Sequence, residues 1–431
     1  MRYQPINISK ETNPNIGIFS IHPLIILYLA LLIQTSCGKE LPLYPEAKTY
    51  EMQEVTINNT PFTELEGVIN DSLILFQGNY LVKESLVVNE DGTLILEQGV
   101  ILYFEKNPDN NLVLERGGKL IVKGTNSQPV VLTSLNEVYG TAEAGDWGGV
   151  HINGNAGIND RNETLVGIIG NYGKTSNAVD GESSGNMQYM RIQYAGSAQR
   201  NIGGALNLNG IGSSTLMENI QVYRSENHGL RIRGGSPSIQ KLVITHTLGT
   251  SLRWEAGWRG KIQQMVIHQQ GAVTDTVTFI RGESGSKTEQ PFSSPKISNF
   301  TIVGWGDNTR GIRLEDQTRC ILINGLIAHT ERAIRTDALD SLILTGDVRL
   351  GNTILFDNKI NFYDHENGKT SLLNTPQNAW YKGSINLDGY IGSLVSGAIN
   401  AQEVDNWFLS LLYMGGVQNG SQDWTQGWTK K

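Results

Sequence analysis

The chain has 431 residues and a formal net charge of −8, with charged residues making up 18%. That acidic balance excludes a broad phosphate-binding surface, so nucleic acid is not expected as a partner. Glycine occurs 49 times and proline 12 times, and the glycines punctuate apolar runs, which is the pattern of many short strands with tight turns rather than a low-complexity chain.

The N-terminal apolar run, Leu24 to Ile33, has ten residues. At ~1.5 Å per residue it covers about half of a ~30 Å bilayer core, and it fits the apolar stretch of a secretion signal. Thr35-Ser36-Cys37-Gly38 follows and resembles the lipobox of bacterial lipoproteins, which implies lipidation of Cys37. Residues 1–37 are therefore expected to be a lipoprotein signal peptide, and the irregular residues 38–66, around Leu41-Pro42-Leu43-Tyr44-Pro45, a tether. Past Cys37 the sequence holds only Cys320. No intrachain disulfide is then possible in a mature chain, and Cys320, inside a strand-like run, is expected to be a buried, inert thiol.

Strands begin near Ile69. Gly92-Thr93-Leu94-Ile95-Leu96-Glu97 recurs as Gly118-Lys119-Leu120-Ile121-Val122-Lys123, 26 residues later. Each copy is followed by a second apolar run, Val100 to Phe104 and Val130 to Thr133. Another signature, Gly204-Ala205-Leu206-Asn207-Leu208-Asn209, returns as Gly229 to Arg233, Ser251 to Glu255, Gly311 to Glu315 and Ala333 to Asp337. Its key residues lie 24 apart from Leu206 to Leu230 and 22 apart from Leu230 to Leu252 and from Ile312 to Ile334. A fixed period of this size, with at least two short strands per cycle, predicts an all-β, right-handed parallel β-helix solenoid over 67–373. Gly145-Asp146-Trp147-Gly148-Gly149 marks a change of register. Polar excursions follow from Gly154 to Gly185 and from Gly282 to Pro295. Residues 374–431, with a helix-like run from Ala401 to Met414, are expected to cap the open end, since exposed strand edges must be covered.

Three stretches carry a resemblance to a family: Gly92 to Gly99 with its copy from Gly118, the motif Gly145 to Asn155, and Gly389 to Gly392 with Asp423 to Thr429. The chain resembles lipoproteins of Bacteroidetes-type bacteria that carry a right-handed parallel β-helix of pectin-lyase-like shape. The resemblance implies that fold and a location at the bacterial outer membrane or cell surface, but no established reaction. Relatives often have an aspartate-rich stretch where this chain reads Thr250 to Gln263, so a calcium site of that kind is unsupported. No cofactor or metal is expected.

Alternation turns the repeated strand into two outward columns. One is Asn207, Arg231, Arg253, Arg313, Arg335; its neighbour is Asn209, Arg233, Glu255, Glu315, Asp337. The phase of the coil near Arg281 is not fixed by the spacing. Guanidiniums beside carboxylates neutralise each other, and they also suit a polymer bearing hydroxyls and carboxylates. Two functions follow. One is a lipid-anchored, monomeric envelope protein that binds polysaccharide or a surface protein without catalysis. The other is a polysaccharide lyase or glycoside hydrolase with Glu255, Glu315 and Asp337 as acids or bases and Arg253 and Arg313 as anion stabilisers. Asn207, Asn209, Arg231, Arg233, Arg335 and Trp258, the last as a sugar-stacking platform, are the binding candidates. His228, in a turn before Arg231, is a further candidate base, whereas His246 and His329 fall at matching turn positions.

Overall fold

Each coil contributes three short strands, and equivalent strands of successive coils pair in parallel to build three sheets. In a computed structural model, residues 50–159, 170–198, 203–285, 288–315, 317–337, 340–363, 371–375, 378–392 and 397–431 are described. The expected signal segment with Cys37, and residues 38–49 of the expected tether, lie outside the described residues.

The first sheet starts with Ser72–Leu75, Thr93–Leu96 and Lys119–Lys123 and continues through Lys261 and Lys296. The second runs through Gly78–Val82, Val100–Phe104 and Val130–Ser134 and on to Val303 and Ala328. The third stacks Trp147–Asn153, Gly204–Asn209, His228–Arg233, Thr250–Glu255 and Val277–Gly282. Leu206, Leu230, Leu252, Ile280, Ile312 and Ile334 pair in register, so the sequence period is the coil. Their side chains, with those of the other two sheets, form one continuous apolar core. The fold is the right-handed parallel β-helix that the period predicts.

From Gly185 onward the bend between the first and second sheets falls on one left-handed residue per coil. Tyr189, Asn219, Lys241, Gln264, Asn299, Asn324 and Asn352 all have φ between 50° and 60°. Asparagine tolerates this region because its short amide bonds locally. Here the amides reach outward instead: Asn299, Asn324 and Asn352 donate to the carbonyls of Tyr413, Ile399 and Gly397. That observation corrects the expected cap. Trp380–Tyr381 does add a last strand to Val348–Phe356. From Gly397, however, the chain runs back along the flank, bonding Gln263 at Leu409, Gln221 at Lys430 and Asn126 at Gln426. It is a strap across many coils. Its helix-like run is one 3₁₀ turn, Ala401–Glu403.

The tether is also corrected. Glu51–Ile57 and Thr60–Glu66 form an antiparallel hairpin, and Thr63 and Glu64 pair with Tyr80 and Leu81. Its turn residues Asn58 and Asn59 are both left-handed, as a two-residue hairpin turn requires. Cys320 is 1% exposed and burial pushes its thiol up, in keeping with an inert role. At the register change the pairing bulges between Trp147 and Gly149. Trp147 stacks on Phe104 with ring centroids 3.9 Å apart, and a Cβ on Gly148 would lie 2.0 Å from Asn111 Oδ1. Packing thus accounts for the Trp-Gly-Gly core of the motif.

Candidate functional site

Strand periodicity places residues i and i+2 on the same side of a sheet. In the third sheet each of four successive coils carries arginine at i and a carboxylate at i+2: Arg253 and Glu255, Arg281 and Glu283, Arg313 and Glu315, Arg335 and Asp337. Register fixes the phase that the spacing left open. Arg231, Arg253, Arg281, Arg313 and Arg335 pair in one line. Backbone bonds from Glu283 to Trp254, Glu315 to Gly282 and Asp337 to Leu314 align the carboxylates beside them.

Stacked guanidiniums at the ~4.8 Å strand spacing would repel by roughly 3–4 kcal/mol per neighbour at an effective dielectric of about 20. The acidic column removes that cost by bridging coils. Glu255 accepts from Arg231 Nη2 at 2.6 Å, Arg233 Nε at 3.1 Å and Arg253 Nη2 at 3.0 Å. Glu283 joins Arg253 of the preceding coil to Arg281 of its own, the latter at 3.9 Å. Glu315 joins Arg281 Nε, at 2.6 Å, to Arg313. Asp337 accepts from Arg335 Nη2 at 3.0 Å.

Electrostatics separates the acids. Burial alone would raise Glu255, but Arg231, Arg233 and Arg253 outweigh it and hold its carboxyl at about 2. Such a carboxylate is a poor proton acceptor at neutral pH, which argues against its expected role as acid or base. Glu283 is raised by burial and by the charge of Glu255, against the pull of Arg253. Burial also depresses Arg231, to about 10.

The structure closes off part of the expected face. Asn207 and Asn209 are 0% exposed. Asn207 braces the turn through Gly204 N–H and carbonyl at 2.8 and 2.7 Å, and Asn209 donates to Asn153 Oδ1 at 2.9 Å. Arg233 is buried against Asn209 and Glu255. Trp258 is fully buried and donates to the Pro237 carbonyl at 3.1 Å, so it cannot be a sugar platform. His228 is buried with Nε2 3.3 Å from Arg253 Nη1, and burial, with Arg231 and Arg253 adding to it, holds it at about 3; it is neutral and a weak base. His246 and His329 are both left-handed corner residues, at φ 58° and 56°. What remains accessible is the run Arg231, Arg253, Arg281, Arg313, Arg335, and Arg281 is its most open member, its side chain 33% exposed.

Sequence reasoning left Arg281 without a phase and missed Glu283, although Arg281-Gly282-Glu283 repeats the spacing of the other coils. It also missed a polar pocket of about 240 Å3 lined by Glu90, Glu115, Arg116, Asn155, Asn171 and Lys174. Glu115 follows Leu114, the register partner of Ile152, so it lies upstream in the column that continues through Asn153 and Asn209 to Glu255. Burial, then the neighbouring Glu90, raises its carboxyl. Among the described residues no group of three His, Cys, Asp or Glu side chains is placed to hold a metal ion.

Coils of three parallel strands with a charged ladder along one sheet define a polar-faced β-helix solenoid. A family model described as a pectate-lyase like beta helix domain matches residues 67–429, and the chain belongs to that family. No curated protein and no solved structure matches it.

Proposed function

We propose that this protein binds an acidic polysaccharide along the arginine line of the third sheet and does not cleave it. The family description fits a polysaccharide-related protein. The observation that carries the reading is the pairing itself. Each carboxylate of the ladder is held by at least one guanidinium, so none is placed as an unpaired acid or base. Six arginines (231, 233, 253, 281, 313, 335) face four carboxylates (255, 283, 315, 337), a formal surplus of +2 in a chain of net charge −8. Arg281 and Arg313, with side chains 33% and 27% exposed, are the guanidiniums most open to a ligand carboxylate. In this reading the protein is a monomer of the bacterial outer membrane or cell surface, anchored through a lipid on Cys37, with no metal and no cofactor.

A screen against acidic and neutral glycans tests the proposal. Retention on polygalacturonate that weakens in Arg281→Gln/Arg313→Gln, with no product released, supports it; failure to bind any acidic glycan refutes it. The enzyme reading finds its support at the upstream pocket rather than on the ladder, where the raised carboxyl of Glu283 is held by Arg253: burial raises the Glu115 carboxyl, and Arg116 and Lys174 line the same pocket. Release of product by the intact protein, abolished in Glu115→Gln, would establish it.

A further inference from the structure

The corner leading from the second sheet into the third is enlarged in two successive coils, by residues 269–277 after His268 and by residues 304–309 after Val303. Between the paired residues Val303 and Arg310 lie residues 304–309, whereas the next coil spends only residues 329–331 between Ala328 and Arg332. The pairing shifts register on both sides of Gly306, whose φ is 75°. Bulges of this kind re-aim a side chain. The side chain re-aimed here is Trp305, set between Gly304 and Gly306 and 51% exposed, whereas Trp147, Trp254, Trp258 and Trp428 are fully buried. Nothing in the core requires an indole at this place.

Trp305 lines a groove of about 370 Å3 with His268, His329, Asp357, Lys359 and Leu387. That volume lies within the ~300–1,000 Å3 typical of small-ligand sites. The groove combines one flat aromatic surface with a rim of hydrogen-bonding groups. His329 Nδ1 sits 3.0 Å from Asp357 Oδ2, which leaves Nε2 for a ligand. Lys359 pairs with Asp307, so its charge is already balanced. His268 Nδ1 meets the Tyr390 hydroxyl at 3.2 Å, and burial holds its imidazole at about 4, uncharged at neutral pH.

We infer that this groove is a second saccharide subsite, one that takes an uncharged pyranose ring stacked on the Trp305 indole, with ring hydroxyls bonding His329, Asp357 and Lys359. An aromatic face beside paired, balanced polar groups suits the alternating apolar and hydroxyl surfaces of a sugar ring. Two carboxylates, Asp307 and Asp357, against a single ammonium disfavour an anionic ring. The groove precedes the third-sheet strand, whereas the arginine line occupies its far end, so the two sites are separable by mutation.

The test is affinity electrophoresis of the intact protein through gels that each contain one polysaccharide: galactomannan, arabinoxylan, mixed-linkage glucan, xyloglucan or polygalacturonate. The expected result is retardation by at least one neutral polymer. Trp305→Ala weakens it by about ten-fold or more, the scale of an interface tryptophan, and Trp305→Phe weakens it less. Arg281→Gln/Arg313→Gln leaves neutral retardation unchanged, and thermal unfolding of Trp305→Ala matches that of the native protein because the side chain is outside the core. The inference is overturned if no neutral polymer retards the native protein, or if Trp305→Ala runs like it. Polygalacturonate retardation that follows the arginines and ignores Trp305 bears on the arginine line alone, so the two readings fail separately.

Discussion

Replacing Glu255 with glutamine tests the ladder at its most heavily loaded carboxylate. The side chain accepts from three guanidiniums and is only 13% exposed. Holding its carboxyl at about 2 instead of 4.5 corresponds to ~3 kcal/mol of stability, since each ten-fold change in proton affinity is worth about 1.4 kcal/mol. A depressed carboxyl contributes that stability in full above its unfolded value and loses it as pH falls toward the folded one. The contribution is therefore complete at pH 7 and falls to roughly half by pH 3, as pH approaches the folded value. An unfolding entropy of about 2.1 cal/mol/K per residue over roughly 360 residues gives about 0.8 kcal/mol/K, so Tm falls by about 4 °C at pH 7. Differential scanning calorimetry of Glu255→Gln and native protein at both pH values reads the effect. The difference should be about half as large at pH 3. No difference at pH 7, or an undiminished one at pH 3, would refute the claim that the arginines hold this carboxylate.

Further outcomes follow from other contacts. Trp258→Ala should destabilise by ~3–5 kcal/mol through cavity formation while leaving glycan retention intact in protein that remains folded, because the ring never meets solvent; loss of binding at unchanged stability would contradict its burial. Trp428→Ala should cost a similar ~3–5 kcal/mol, since this strap residue is fully buried and meets the Tyr189 ring edge-on at 5.6 Å; limited proteolysis should then release the C-terminal strap. Cys320 should ignore thiol reagents in native protein and react after denaturation, and modification at native pH would contradict its burial. Cys37→Ser should move the protein from the membrane to the soluble fraction of cells that process lipoproteins, and an unchanged distribution would remove the anchor.

The coil was legible in the sequence because its apolar residues must return at one depth in every turn. Leu206, Leu230 and Leu252 announce it directly. The ladder was legible only where the period held. From Leu252 to Ile280 and from Ile280 to Ile312 the spacing stretches to 28 and 32 residues, as polar loops swell the corners, so Arg281 and Glu283 lost their phase. The Arg-x-Glu spacing within each strand survives such insertions and was the better guide. Burial of Asn207 and Asn209 was not legible, because their cover comes from outside the strand. The Gly203 backbone closes on Asn207, and the excursion after Asn153 folds back there, with Gly154 N–H on the Asn209 carbonyl. Trp258 lies beyond its strand, past a turn at Ala256 and Gly257, where alternation no longer predicts direction. The hairpin over Glu51–Glu66 was hidden by its charged residues, although Asn58-Asn59 is a turn signal. The strap has no period at all; it is specified by asparagines and glutamines on distant coils, which no local pattern reveals.

The most direct test of the central claim is equilibrium binding of polygalacturonate to the native protein and to Arg281→Gln/Arg313→Gln, with ultraviolet absorbance and reducing-end assays on the same samples. The account predicts salt-sensitive binding that weakens in the double variant, with neither unsaturated nor reducing ends appearing. Binding that is indifferent to both arginines, or product that accumulates with the native protein, would contradict it.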